Sequence, residues 1–324
     1  MVVQKERKLP LILECLEAMD VRLPNVHPNK PTIISDLTKW RVGYSGERKM
    51  DYILSFLNDK EFHIFHDLKL TIGTKTFQID TLLVSSSVVI IIEVKNWSGT
   101  VIFDGEFEQV IRNLNGLDEG MKNPLSQVQL QEMQLKEWMA QNRLPSIPII
   151  SLVVFSNPKT IIKTIRFSNK VSKHVLHGYN VPIKLQKLLE TYTTEYFSKP
   201  NIRKVIKLLL KSNVERMQDI LSNYNVKKSE LIKGIHCPNC KLISMLRDNH
   251  NWTCPKCHYK SPDAHIHSIR HYAILINQTF TISEIAQFIN VSRFTAYRMV
   301  KRLKLPSINI NKKTTTYFYE ISEE

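Results

Sequence analysis

The sequence predicts a mixed α/β chain with two small appended modules, and three stretches predict it. They are a β-branched hairpin between Phe77 and Trp97, two Cys-x-x-C pairs between Cys237 and Cys257, and a basic helix pair from Thr281 to Leu303. With 324 residues the chain has the length for two or three domains. The motifs divide the chain into an N-terminal extension at 1–38, an α/β domain at 39–160, a helical extension at 161–233, a cysteine module at 234–262 and a helix-pair domain at 263–324.

In the hairpin, valine, isoleucine, leucine and threonine crowd both sides of Ser85-Ser86-Ser87, which reads as strand, turn, strand. A turn centred on Ser86-Ser87 opposes residues whose numbers sum to 173, so Asp80 faces Glu93 and Gln78 faces Lys95. Directly opposed side chains lie about 4.5–5.5 Å apart at Cβ, where like charges repel, so a cation is expected between the two acids. Side chains alternate along a strand, so Glu93 and Lys95 share one face at the end of the apolar run Val88 to Ile92. Two carboxylates on a divalent metal, with a lysine on the same face, form a layout for metal-dependent phosphodiester cleavage. The plainer alternative is an edge salt bridge between Glu93 and Lys95, which contributes little when exposed.

Upstream, Met50, Ile53, Leu54 and Leu57 recur at helical spacing and predict a helix over Gly43 to Leu57, with Glu47 on the same inward stripe. Downstream, Asn123-Pro124 opens a second helix that carries Gln127 and Gln131 one turn apart. Gln131 reads as a solvated polar position. A strand over Ile147 to Phe155 extends the sheet, and Ser156-Asn157-Pro158 ends it.

The order Gly-Glu47, Asp80, Glu93-Val-Lys95 and Asn-Pro-x-x-Gln127 resembles the nuclease-related domain, NERD, a branch of the PD-(D/E)xK nuclease superfamily. The resemblance covers Lys39 to Phe155. It implies a restriction-endonuclease-like mixed central sheet flanked by helices and a Mg²⁺- or Mn²⁺-dependent site. By motif, it makes Glu47 the helix-borne acid, Asp80 and Glu93 the metal ligands, Lys95 the residue that orients or activates water, and Gln127 the downstream glutamine. The sequence departs from the pattern at Ile79, where the superfamily carries proline.

Charge agrees with a polyanionic partner: 45 Lys and Arg against 30 Asp and Glu give a net +15, although a generic basic protein would show the same balance. No apolar run is long enough for a membrane span, and the first residues lack the apolar core of a signal peptide, so a cytoplasmic protein is expected. In such a compartment thiols stay reduced. Cys237-Pro-Asn-Cys240 and Cys254-Pro-Lys-Cys257, thirteen residues apart, then resemble a zinc ribbon with four thiolates on Zn²⁺. His236, His250 and His258 are not needed for that coordination, and Leu246, Trp252 and Tyr259 are expected to cover the metal. Cys15 reads as a small buried hydrophobe. Trp40 is expected on the core.

Near the C-terminus, Thr281-Ile-Ser-Glu284 is a capping box that opens a helix over Ser283 to Ile289. A turn at Asn290–Ser292 leads to a second helix over Arg293 to Leu303. The pair resembles a DNA-binding helix-turn-helix, with Arg293, Phe294 and Tyr297 in recognition positions and Arg298, Lys301 and Arg302 near phosphates. Ser307 to Ile321 forms a candidate wing with Asn311-Lys-Lys313 at its tip. The sequence thus points to a metal-dependent deoxyribonuclease delivered to DNA by its C-terminal modules. Two alternatives stay open: a non-catalytic DNA-binding regulator on an inactive nuclease fold, and a C-terminal arm that recruits a protein partner.

Overall fold

A computed structural model describes residues 2–57, 62–165, 169–214, 219–248, 251–311 and 314–321. Met1–Arg7 and Val42–Arg216 form one unit; Lys8–Arg41 and Met217–Glu324 form the other. The first 38 residues, expected as one extension, are therefore shared between the two units.

The chain begins with β1 (Val2–Lys5), α1 (Leu11–Arg22) and α2 (Lys30–Leu54). Helix α2 starts thirteen residues before the predicted Gly43. Pro31 suits its first turn, where a missing N–H costs nothing, and the helix carries Gly43 and Gly46 in its interior. Gly46 has a packing reason. A Cβ there would lie 2.5 Å from Asn96 Cβ and 2.7 Å from Ser156 Oγ, so only glycine lets the helix settle onto the end of the sheet. Asn96 fixes the approach by donating to the Val42 carbonyl at 2.8 Å.

The main sheet uses β2 (His63–Ile72), β3 (Lys75–Val84) and β4 (Val89–Lys95). A second, four-stranded sheet uses β5 (Thr100–Asp104), β6 (Gln109–Leu114) and β7 (Leu117–Met121). Then come α3 (Pro124–Gln141), β8 (Ile149–Phe155), β9 (Ile161–Thr164), α4 (Asn169–His174), β10 (Val175–His177), α5 (Val181–Thr191) and α6 (Lys199–Ser212). The main sheet runs β1-β2-β3-β4-β8-β10 and is mixed: β2, β3 and β4 are antiparallel neighbours, whereas β4, β8 and β10 are parallel. Strands β3 and β4 pair from Val84 opposite Val89 to Thr81 opposite Ile92, the register that the serine turn predicts.

Alternation in β4 sorts the two cores. Val89 and Ile91 join the cluster that includes Leu125, Val128, Leu135 and Trp138 of α3. Ile90, Ile92 and Val94 join Met50 and Leu54 of α2 and Val181, Leu185 and Leu188 of α5. Glu93 and Lys95 continue the α3 side, so the buried strand carries its charges under α3. The β5–β6–β7–β9 sheet was not anticipated, because its outer strand β7 is exposed almost throughout and lacks an apolar face.

The second unit adds α7 (Ile220–Asn223), then β11 (Leu246–Asp248), β12 (Asn251–Thr253) and β13 (Lys260–Ser261), which form a small antiparallel sheet. Helix α8 (Ala264–Leu275) leads to β14 (Thr279–Thr281), α9 (Ile282–Ile289), α10 (Arg293–Arg302), β15 (Ser307–Asn311) and β16 (Thr314–Phe318). Strand β14 pairs with β16, which closes a three-stranded sheet beside the helix pair. The wing tip at Lys312-Lys313 lies outside the described residues. Arg22 of α1 is fully buried in this unit, with its guanidinium 4.1 Å from the Phe288 ring centre and donating to the Ile232 and Gly234 carbonyls. Trp40, expected in the core, is 40% exposed, because α2 turns that position outward.

Candidate functional site

The hydrogen-bonded ladder between β3 and β4 stops at Thr81 and Ile92, one pair short of Asp80 and Glu93. Where the strands part, Asp80 Oδ2 accepts the Val94 N–H at 2.9 Å, and Oδ1 has no hydrogen-bond partner among the described residues. Loss of water raises the Asp80 carboxyl well above the usual carboxylate range, and Glu93 and Glu47 raise it further. On its other side, β2 also breaks its ladder at this level. His66 opposes Thr81 and Leu68 opposes Ile79, and between them Asp67 takes a left-handed backbone with φ 48°. Register thus brings Asp67, Asp80 and Glu93 to one level on three adjacent strands.

Glu93 is buried and fully engaged. Lys95 Nζ donates to its Oε1 at 2.6 Å, Gln127 Nε2 donates to the same oxygen at 2.7 Å, and Gln131 Nε2 donates to Oε2 at 2.8 Å. Lys95 also donates to Gln127 Oε1 at 3.0 Å. The pair is therefore part of a closed network under α3, unlike a solvated edge salt bridge. Gln131 overturns its solvated reading: it is buried, lies on the α3 face with Val128 and Leu135, and also reaches the Gln78 carbonyl at 3.0 Å. Its signal was the spacing, since it falls four residues after Gln127 and seven before Trp138 on one apolar stripe.

Glu47 reaches this site from α2, and its partner is a residue that sequence reasoning missed. Arg7, just after β1, donates through Nη1 to Glu47 Oε2 and through Nε to both Asp51 oxygens at 3.0 and 3.2 Å. Its Nη2 donates to the Asp80 carbonyl at 2.9 Å and to Thr81 Oγ1 at 3.0 Å. The Arg7 side chain is 1% exposed, so one buried guanidinium ties α2 to β3. Burial pushes the Glu47 carboxyl up to about 7; Arg7 opposes the rise, and Asp67, Asp51 and Glu93 add to it. Burial, with Arg7 and Lys5, lowers neighbouring His66 to about 3, so that ring is neutral.

An acid on a helix, two acids and a lysine on adjacent strands, and glutamines from the next helix are now in one place. Residues 42–156 match NERD, the nuclease-related domain. The match contains Glu47, Asp80, Glu93, Lys95, Gln127 and Gln131 but begins after Arg7. Over 190 residues, 58% of this chain and 84% of the relative, the chain is 26% identical to an uncharacterized protein of Bacillus anthracis. No solved structure matches the chain.

Donor chemistry in the nuclease-related domain suits a hard divalent cation, because it consists of carboxylate oxygens that raise one another's proton affinity and leave Asp80 Oδ1 open. Among the described residues, however, the acids do not form a preassembled group of three ligands; the group that does is Cys237, Cys240, Cys254 and Cys257, with sulfurs all within 4.8 Å. These four fit zinc. Both Cys-x-x-C turns close alike, with Lys241 and His258 in the left-handed region and their N–H groups on the Cys237 and Cys254 carbonyls at 2.9 Å. The Tyr259 N–H helps lower the Cys257 thiol to about 6, toward the thiolate that a metal needs. Of the expected covering residues, Trp252 is buried and donates to His265 at 3.2 Å, but Leu246 is 66% and Tyr259 41% exposed. All three residues of β11, Leu246 included, are exposed. His236 stacks on His271 at 4.6 Å, and His250 lies outside the described residues.

In the helix pair, Thr281 and Glu284 make the capping box, and Asn290 takes the left-handed cap at φ 55°. Ile285, Ala286, Ile289, Ala296 and Val300 are buried, joined by Phe288 and Met299, whereas Val291 and Leu303, also expected in this small core, are half-buried. Arg293, Phe294, Tyr297, Arg298, Lys301 and Arg302 are all exposed on α10. Arg298 lies 5.8 Å from the Phe294 ring centre and Lys301 5.7 Å from that of Tyr297, so cations and aromatics interleave on one surface.

Arg7→Ala should strand Glu47 and Asp51 without their cation. A loss of about 3–5 kcal/mol is expected in urea unfolding, and a change below about 1 kcal/mol would show that Arg7 is not the tie. Elemental analysis should find zinc, and chelation should raise hydrogen exchange across residues 237–257 while the main sheet stays protected. A Cys237–Cys257 or Cys240–Cys254 disulfide in the purified protein would contradict that.

Proposed function

We propose that the chain is a metal-dependent nuclease that hydrolyses phosphodiester bonds of DNA, with its zinc-binding module and α9–α10 pair delivering it to the duplex. One observation carries the reading: where β3 and β4 part, Asp80 lies within electrostatic reach of Glu93 and of Glu47 of α2, with Lys95 two residues beyond Glu93 and bonded to it. The family match over residues 42–156 supports it.

Asp80 and Glu93 would hold Mg²⁺ or Mn²⁺, which supplies Lewis-acid polarisation of a phosphoryl oxygen when bound. The chain's own groups do the rest. Lys95 Nζ, anchored to Gln127, orients a water for attack on phosphorus. Gln127 and Gln131 hold the Glu93 carboxylate in one rotamer, and Arg7 holds Glu47. As the oxygen–phosphorus bond forms, the attacking water passes a proton to solvent, the bond from phosphorus to the leaving oxygen breaks, and that oxygen takes up a proton from solvent. A second reading, a DNA-binding protein on an inactive nuclease fold, draws on the complete engagement of both Glu93 oxygens.

The direct test is cleavage of single- and double-stranded DNA with and without Mg²⁺. Asp80→Ala should abolish metal-supported cleavage while the fold survives, because the change removes a repulsion. Lys95→Ala should cut the rate by about 100-fold or more with little loss of metal affinity. Cleavage by Asp80→Ala at the wild-type rate would eliminate this site. For targeting, Lys301→Ala should weaken all DNA sequences alike and flatten the salt dependence of affinity, whereas Arg293→Ala should reduce sequence discrimination by about 1–3 kcal/mol. An unchanged salt slope together with unchanged discrimination would transfer α10 to the protein-recruitment reading.

A further inference from the structure

Strands β4, β8 and β10 run parallel and end at one level, with Lys95 opposite Phe155 and Phe155 opposite His177. In open α/β sheets the crevice beyond the carboxyl ends of parallel strands is where ligands bind. Here that crevice holds a cavity of about 540 Å³ on the α2 side, bounded by Arg48, Lys49 and Tyr52 of α2 and by Phe155, Ser156 and Tyr179. Its volume falls in the range of about 300–1,000 Å³ found for small-ligand sites. It adjoins the candidate catalytic lysine through backbone, because the Ser156 N–H donates to the Lys95 carbonyl at 3.0 Å.

The wall chemistry is specific. Tyr52 is 67% and Tyr179 62% exposed, an unusual state for two aromatic rings at the mouth of one cavity. Each ring is held from behind: Tyr52 meets Phe56 edge-on at 4.9 Å, and Tyr179 stacks on His177 at 5.4 Å with the planes 8° apart. One face of Tyr179 is thus covered by His177, while most of the residue stays exposed. Arg48 and Lys49 are exposed and line the same cavity as the two rings. Pre-set aromatic faces with adjacent cations are what single-stranded nucleic acid recognises through base stacking and phosphate pairing. A duplex, whose bases are already stacked on one another, cannot offer them.

We infer that this cavity is a subsite for unstacked bases of a single-stranded nucleic-acid segment, with Tyr52 and Tyr179 as stacking platforms and Arg48 and Lys49 on the phosphates. This rests on the nuclease reading and assigns its substrate class: a strand that is single, frayed or flapped.

The test is binding, without added divalent metal, of fluorescent dT hexanucleotide and of a blunt DNA hairpin to the zinc-loaded full-length protein. Tyr52→Ala and Tyr179→Ala should each weaken the hexanucleotide by about ten-fold or more and the hairpin by less than about two-fold, while Tyr→Phe at either position retains wild-type affinity. Hexanucleotide affinity unmoved by both alanine variants, equal losses on the hairpin, or equal losses in the phenylalanine variants would overturn the subsite. Tyrosine-dependent binding in a protein that cleaves nothing would keep the subsite and remove the nuclease reading; metal-dependent cleavage with tyrosine-independent binding would do the reverse.

Discussion

Five carboxylates, those of Glu47, Asp51, Asp67, Asp80 and Glu93, gather between α2, the middle of β2 and β3 and the end of β4, and the surrounding architecture answers their repulsion. Arg7 is placed against Glu47 and Asp51, Lys69 against Asp67 at 3.2 Å, and Lys95 against Glu93. Among the described residues, the Val94 N–H and the charge of Lys95 act on Asp80 on the favourable side. Its carboxyl is therefore the member of the cluster whose ionised form is least compensated. A protein with no use for that charge would be more stable with an apolar residue at the position, so the cluster is read as a site for a cation and the group it brings. The same pressure explains the backbone: both ladders that flank Asp80 break at its level, and the freed Val94 N–H turns to its side chain.

Glycine and asparagine set the distance across which this charge works. Without Gly46, α2 would be pushed off Asn96 and Ser156, and Glu47 would withdraw from the strand ends. Asn96 is held in turn by the Val42 carbonyl. The motif Gly-Glu47 is thus a close contact followed by an acid, and the two residues serve one geometry.

Much of this was legible in the sequence. The serine turn fixed the β3–β4 register, the period of two put Glu93 and Lys95 on one face, and the Cys-x-x-C spacing brought four sulfurs together. What escaped had physical reasons. Arg7 lies in a charged N-terminal stretch and finds its partners forty residues and more away, so no periodicity marks it. Gln131 was legible from its stripe, but a polar residue on a helix is usually solvated, and burial depended on Glu93 lying beneath it. Asn115-Gly116 is a strong hairpin signal, with φ 53° and 82° in the structure, yet the flanking strands β6 and β7 bury too little to read as a sheet. Met50, Ile53 and Leu54 of the apolar stripe mark only the C-terminal part of α2, which begins at Lys30.

The central claim, that Asp80 and its neighbours form a divalent-cation site, is tested most directly by calorimetric titration of Mn²⁺ into the zinc-loaded protein at about pH 6 and about pH 8. Glu47 has a folded value of about 7 against 4.5 for the free side chain, so its protonated form favours the fold below about pH 4.5 and that advantage is lost as pH rises through 7. Cation binding needs the ionised carboxylates and must therefore tighten across the same rise and release protons. The account predicts stronger binding at the higher pH, proton release that varies with the buffer's ionisation heat, and loss of both in Asp80→Asn. Binding that is absent in wild type, or that survives unchanged in Asp80→Asn, would contradict it.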